Sequence, residues 1–243
     1  MHRSHISIQE WFWAAYLVST LTPGISALQL QRQLGFGSYR TAWFMLHRLR
    51  KGMVNDTRTL LSGIVEADES IMGGPAKGKK GRGVTQAAHK SLVLGAVEVL
   101  QYEDKLGRPK ERAGRSRLEV VHHADGKTIH KFLTNNVAPA SSVRTDGWRR
   151  YSETALAQYR HAPQVQGSPT RAHQLAPHIH RLFSNLKTWI NGTHHGVEPK
   201  YLQDYLNEFI FRFNRRITPM AAFQTLLGIT SSKKPMTLLQ LKS

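Results

Sequence analysis

The sequence predicts an α/β protein whose sheet is preceded by a small helical region. Two observations lead there. Apolar residues recur at a helical period up to about residue 55 and change to strand-like runs from about residue 60. Those runs are interrupted by one helical stretch and followed by two more, the pattern of a sheet flanked by helices. The 243 residues allow one large domain and a small one. A hydrophobic content of 40% supplies a core.

Trp11, Ala14, Ala15, Leu17 and Val18 approximate a 3.6-residue period, and Pro23-Gly24 ends that helix. Its apolar stretch, Trp11 to Leu21, is about half of the ~20 residues that span a bilayer. Gln9 and Glu10 precede it and no small-x-small cleavage pattern follows, so it reads as a buried helix. Ser26 is placed to cap a short helix through Leu34, Gly35-Phe36-Gly37 turns the chain, and Ser38 caps a helix from Tyr39 to Lys51. That helix would turn Ala42, Met45, Leu46 and Leu49 inward and Arg40, His47, Arg48 and Arg50 outward. A short helix, a glycine turn and a helix with a basic face form a helix-turn-helix-like pattern. The competing reading is an ordinary helical hairpin packed on the main domain.

Strands are expected over Leu60–Ala67, Ser91–Leu100, Leu118–His122 and Ser141–Arg144, with a helix over Gly126–Asn135 between the last two. Arg149 to Ala162 begins as helix, and Gln164 to Pro177 is a polar loop. His178–Asn191 carries Leu182, Leu186 and Ile190 on one face and closes at Asn191-Gly192-Thr193. Lys200–Arg216 carries Leu202, Tyr205, Leu206, Phe209, Ile210 and Phe213 on another. The linear division is then a helical, helix-turn-helix-like region over 1–55 suited to DNA binding, an α/β domain over 56–225 and a basic tail over 226–243, loose from Ser231.

Thirty-four Lys and Arg against 16 Asp and Glu give a formal charge of +18, which implies a polyanionic partner, most often DNA or RNA and less often an anionic membrane. The absence of cysteine excludes disulfides, iron–sulfur clusters and Cys-type zinc sites and is compatible with a reducing cytoplasm. The expected location is cytoplasmic, with association to the nucleoid when bound to DNA and no membrane partner. Basic residues suited to phosphate contact lie in two glycine-bearing stretches, 77–83 with Lys77, Lys79, Lys80 and Arg82, and 108–117 with Arg115 and Arg117. Arg40, His47 and Arg48 could enter a major groove. Arg212, Arg215 and Arg216 end the last of these helices and divide between helix stability and DNA.

Two acids stand apart. Asp68 ends the apolar run of Ile64-Val65-Glu66-Ala67-Asp68-Glu69-Ser70 before Gly73-Gly74, and Asp146 ends Val143-Arg144-Thr145-Asp146 before Gly147. A carboxylate at a strand end beside a glycine turn is held rigidly and points into a cleft. Two of them can hold Mg²⁺ or Mn²⁺ together with water and substrate phosphates. Alone, either could be a turn former or a helix cap. Glu66 and Glu69 read as surface groups or supports beside Asp68. His122-His123 and His194-His195 read as loop or DNA-facing residues, because adjacent histidines on a strand point to opposite faces. Trp148 and Trp189 read as core aromatics.

Several pieces occur in order: Val65-Glu66-Ala67-Asp68-Glu69-Ser70-Ile71-Met72-Gly73-Gly74, Lys79-Lys80-Gly81-Arg82-Gly83, Thr145-Asp146-Gly147-Trp148-Arg149-Arg150-Tyr151, Leu186-Lys187-Thr188-Trp189-Ile190-Asn191-Gly192-Thr193-His194-His195-Gly196-Val197, and Tyr201 to Arg216. Over roughly residues 25 to 225 the chain resembles bacterial insertion-sequence transposases with an RNase H-like catalytic domain, the DDE-type strand-transfer enzymes. The resemblance implies an RNase H-like mixed sheet, three antiparallel strands followed by parallel ones, flanked by helices. It implies Asp68 on the first strand, Asp146 just after the fourth, and two Mg²⁺ or Mn²⁺ ions with no small-molecule cofactor. Relatives often begin with a Cys-rich zinc ribbon; here there is no cysteine and the helical region begins almost at once.

Many relatives place a Glu seven residues before a Lys on the late helix. Counting back from Lys187 gives His180, while other relatives have an Asn in this region, which suggests Asn185. Positions 180 and 187 share a helix face; 180 and 185 are about 140° apart around the axis and would not reach one ion. Register favours His180. Oxygen chemistry favours Asn185 for Mg²⁺, with His suiting softer ions. The expected metal ligands are Asp68, Asp146 and Asn185, with His180 the alternative; Lys187 is either a phosphate contact near the metals or a salt-bridge partner on a solvated face. The activity implied is metal-dependent cleavage at element ends followed by strand transfer into target DNA, by a homo-oligomer assembled on DNA. A non-catalytic DNA-binding relic or regulator and an RNase H-like nuclease that cuts without joining are the alternatives.

Overall fold

A computed structural model describes residues 5–55, 58–73, 90–145, 156–163 and 176–232. The chain divides into two compact units, one of Thr59–Thr188 and Gly196–Gln203, the other of Met1–Arg58, Trp189–His195 and Asp204–Ser243.

The first of these is built on five strands: β1 (Ile64–Met72), β2 (Ser91–Glu103), β3 (Pro109–Val121), β4 (Ser142–Thr145) and β5 (Arg160–Pro163), in the spatial order β3-β2-β1-β4-β5. β1, β2 and β3 are antiparallel neighbours, while β4 runs parallel to β1 and β5 parallel to β4. This is the mixed, RNase H-like sheet. Val93 to Val97 in β2 is buried throughout, as expected of a strand covered on both faces. Helix α4 (Gly126–Asn136), capped by Asp125 at the Thr128 N–H, shares a core with Val65, Ala67, Leu94 and Ala96. Side chains alternate along β1, so Glu66 and Asp68 face the other way. There they meet helix α5 (Pro177–Trp189), whose Ile179, Leu182, Phe183 and Leu186 are buried at i, i+3, i+4 and i+7.

The loop expected over 108–117 is instead strand. β2 and β3 form one long hairpin turned at Asp104, whose Oδ1 accepts from the N–H groups of Leu106 and Arg108. A bulge between Val97 and Val99 breaks the register. There the buried Glu98 accepts from Ser62 N at 2.9 Å and from Arg115 Nε at 2.9 Å. Burial opposes the charge of Glu98, but Arg115 and the Ser62 N–H outweigh it and hold its pKa below the usual carboxylate range. Arg115 also donates to the Leu60 carbonyl and Thr59 hydroxyl, and the buried Arg117 donates to Thr59 O at 2.8 Å. Neither arginine lies on a loop as expected from the sequence: both are on β3 and brace the segment entering β1. At the sheet edge the Gln203 carboxamide accepts from Val120 N and donates to Leu118 O, occupying main-chain groups that an edge strand would expose. β5 was not among the expected strands; it closes a stretch expected only to begin as helix.

The second unit contains α1 (Ile8–Thr20), α2 (Ala27–Leu34) and α3 (Tyr39–Gly52), with Asp204–Phe213 of α6 (Leu202–Phe213) and all of α7 (Pro219–Ser232). α1 opens on a capping box, Ser7 with Glu10. Trp11, Val18, Leu30, Met45, Leu46, Phe211 and Leu226 lie in one core. α7 carries the chain as helix to residue 232, through the start of the basic tail and into the first two residues read as loose; residues 233–243 lie outside the described residues.

Helix α3 corrects the expected basic face. His47 and Arg50 are 0% and 1% exposed. Arg50 Nε meets Glu208 Oε2 at 2.7 Å, with its guanidinium carbon 3.8 Å from the Tyr205 ring centre. Asp204 pairs with Lys51 at 2.9 Å and His47 at 3.4 Å, and these partners keep it ionised against the cost of burial. His47 is therefore a packing residue and not a groove contact. Arg48 is partly buried, and Arg40 is exposed at the start of α3, above the Phe44 ring.

The segment joining α1 to α2 is held by residues far away in sequence. Arg212 Nη2 donates to Leu21 O at 2.6 Å and Thr22 O at 2.5 Å, and Thr193 Oγ1 donates to Pro23 O at 2.8 Å. Gly24 has φ +71°, and a Cβ there would lie 2.7 Å from Trp189 Nε1. Arg212 is committed to this clamp, and Arg215 and Arg216 donate to carbonyls of their own helix end. Trp189 is buried, as expected of a core aromatic.

Candidate functional site

Asp68 lies on the central strand β1, opposite Gly95 of β2. Its Oδ1 accepts from the Glu69 N–H at 2.8 Å, and its Oδ2 lies 3.4 Å from His180 Nδ1 on α5. The Asp68 side chain is 13% exposed and that of His180 32%, so the pair stands at the boundary of solvent.

Gly95 permits this approach. A Cβ at that position would meet Phe183 Cζ at 2.7 Å, Ile179 Cδ1 at 2.9 Å and Leu118 Cδ2 at 3.0 Å. Only a residue without a side chain lets α5 lie this close to the strand opposite Asp68. Within the apolar run of β2, Gly95 gives a sequence-level hint of close approach.

Glu66, read from the sequence as a surface group or a support beside Asp68, is not at the surface. It is two residues from Asp68, hence on the same face, and is 0% exposed. Its Oε2 accepts from the backbone N–H groups of His178 at 2.8 Å and Ile179 at 2.9 Å, in the first turn of α5. Burial raises the Glu66 pKa; the two N–H donors and the charge of Arg144 act against that rise. Arg144 is the register partner of Glu66 on β4 and forks onto Glu111 with two contacts of 3.1 Å. That fork is the main reason the Glu111 pKa lies low. Glu111 is also 3.8 Å from His178 Nε2, and burial holds the His178 ring toward its neutral form.

Asn185 and Lys187 are both exposed on α5. The geometry thus brings Asp68 and His180 together, while Asn185 lies about 140° around the helix from His180. β4, the strand that leads to Asp146, is the parallel neighbour of β1 and is described to Thr145. Asp146 itself, Trp148, Lys77, Lys79, Lys80 and Arg82 lie outside the described residues. Among the described residues no three His, Asp or Glu side chains are grouped to hold a metal ion. His122 and His123 are exposed after β3. His194 packs edge-on against Trp189 and Tyr205, and burial followed by the Arg50 and Arg212 charges pushes its pKa down to about 3. Among the described residues no helix is long and apolar enough to cross a membrane.

No curated protein matched the sequence. The sequence model of the ISXO2-like transposase domain matches residues 60–214, more than half of the chain and the whole segment from the start of β1 to the end of α6. The chain belongs to the ISXO2-like family of DDE transposases.

Proposed function

We propose that this protein is a DNA transposase that cuts at the ends of an insertion sequence and joins the freed 3′ end to target DNA. The observation that carries the reading is the meeting of Asp68 and His180 on the central strand and late helix of an RNase H-like sheet, in a chain of a transposase family.

A carboxylate oxygen and an imidazole nitrogen at one place are a donor set that suits Mn²⁺ and tolerates Mg²⁺. Asp68 and His180, with Asp146 as the second carboxylate, would hold the metal, and Asn185 takes no part. Bound divalent ions would supply an activated water or hydroxyl and neutralise charge on the leaving oxygen. The chain's own share is positional. β1 gives Asp68 a rigid main chain, α5 brings His180 to it, and partial exposure admits a phosphodiester. Lys187, two turns from His180 on the same helix face, would contact a phosphate. The excess of 18 positive charges favours the duplex over other partners, and two ends held together require more than one copy of the chain.

The test uses purified full chain, Mn²⁺ or Mg²⁺, and duplexes carrying the inverted repeats that flank the reading frame. The expected products are nicked ends and joined species. Asp68→Asn and His180→Ala should each lower cleavage by about 10³-fold, roughly 4 kcal/mol, with DNA affinity within about twofold of the parent and Asn185→Ala near parental. Retained cleavage in Asp68→Asn would place the chemistry elsewhere. Cleavage without joined product would make the protein a nuclease, and DNA binding without either step a regulator.

A further inference from the structure

A carboxylate closed to solvent is costly unless its oxygens are well engaged, so the complete burial of Glu66 calls for a physical reason. The first N–H groups of a helix have no partner within the helix, and the helix dipole favours negative charge at that end. Glu66 meets both conditions with one oxygen, which accepts from His178 and Ile179. His180 is the next residue along α5. Asp68 is the next residue on the same face of β1, about 7 Å further along the strand. One strand and one helix are therefore joined at two successive points, Glu66 to the start of α5 and Asp68 to His180.

The two points have different characters. The apolar stripe of α5 and the bare face at Gly95 set how closely the helix approaches, but apolar contacts accommodate small slides and rotations. A shift of α5 by one residue turns it by about 100° and would carry His180 away from Asp68. Two directional hydrogen bonds to consecutive amides resist that motion. With Oε2 occupied by both amides and the side chain shut from solvent, Glu66 is not placed to touch a substrate phosphate.

We propose that Glu66 is the positioning residue of this site: its carboxylate fixes the first turn of α5 so that His180 meets Asp68. The proposal rests on the reading of Asp68 and His180 as the reactive pair.

The test compares Glu66→Ala with Glu66→Gln, which keeps an acceptor oxygen, in the full chain. In metal-free protein, Glu66→Ala should speed hydrogen exchange of the amides of residues 178 and 179 by about tenfold or more. It should also abolish the coupling between Asp68→Asn and His180→Ala, read as failure of their melting-temperature shifts to add in the parent and their addition in the variant. In the Mn²⁺ cleavage assay its maximal rate should fall by about tenfold or more, with the KM for DNA within about twofold. Glu66→Gln should restore the rate to within about threefold of the parent. An Asp68–His180 coupling that survives Glu66→Ala overturns the proposal, as does an unchanged maximal rate or a Gln variant as impaired as Ala. If the parent does not cleave DNA, the transposase reading fails, while amide exchange and coupling still decide the role of Glu66.

Discussion

In the helical unit, Arg50 and Glu208 are both almost fully enclosed and meet at 2.7 Å; in the sheet unit, Asp68 and His180 meet at 3.4 Å with their side chains 13% and 32% exposed. In the first, Glu208 faces Arg50, with the Tyr205 ring under that guanidinium, and its other oxygen lies 3.6 Å from Arg212; the group neighbours a second set in which Lys51 and His47 face Asp204. Enclosure of that kind ties helices together and leaves no route for a ligand. The second pair joins a carboxylate to an imidazole at the edge of solvent, where an incoming cation or phosphate can compete. Charges inside a fold thus divide by access: closed pairs hold elements together, and half-open ones are where chemistry can occur.

This contrast can be broken from the closed side first. Glu208→Ala leaves Arg50 enclosed without its anion and should cost about 3–5 kcal/mol in stability, whereas Arg50→Met with Glu208→Leu should cost far less, because both charges are removed together. Chemical unfolding of the three proteins measures this, and equal losses in the single and double variants would refute the assignment. On the open side, Gly95→Ala inserts a methyl 2.7 Å from Phe183 and 2.9 Å from Ile179. It should cost about 1–3 kcal/mol and slow DNA cleavage more than it weakens DNA binding. A variant as stable and active as the parent would show that α5 has room to spare.

The smallest expected effect is one of pH. His194 in the folded chain has its pKa depressed to about 3, against about 6.5 for an unperturbed histidine. Between these values the unfolded chain binds the proton and the folded chain does not, so stability falls as pH drops from about 6.5 toward 3. His47 is shifted in the same direction, chiefly by burial. Replacing His194 by Gln should flatten the acid limb of a melting-temperature profile without removing it, and an unchanged limb would count against the burial of this ring.

What could be read from the sequence follows local rules. β2 was legible because Leu92 to Leu100 is almost wholly apolar, and α4 because Gly126 opens a periodic stretch, whereas Asp68, expected at a strand end beside glycines, lies in the middle of β1, which runs on to Met72. The first half of β3 was not legible, since Pro109 to Arg115 has no apolar alternation and is strand only through its main-chain pairing with β2. Arg50, Arg115 and Glu66 were misread for one reason. Their partners lie 158, 17 and 112 residues away, and a charged side chain looks solvated until its distant counterpart is known. The third donor was left between two candidates because chemistry and helix register pointed to different residues, and only the proximity of His180 to Asp68 gives a reason to prefer one.

The clamp on Leu21 to Gly24 bears on how the polypeptide matures on the ribosome. The groups that seize this segment, Thr193 and Arg212, are made some 170 and 190 residues after it. Synthesis proceeds from the N-terminus and domains generally fold as they emerge, yet the opening three helices cannot close their core until Phe211 and Leu226 have been added. The sheet unit, lying almost wholly between these two ends, can form in the meantime. The apolar faces of these three helices therefore wait for α6 and α7 to be made before their shared core can close.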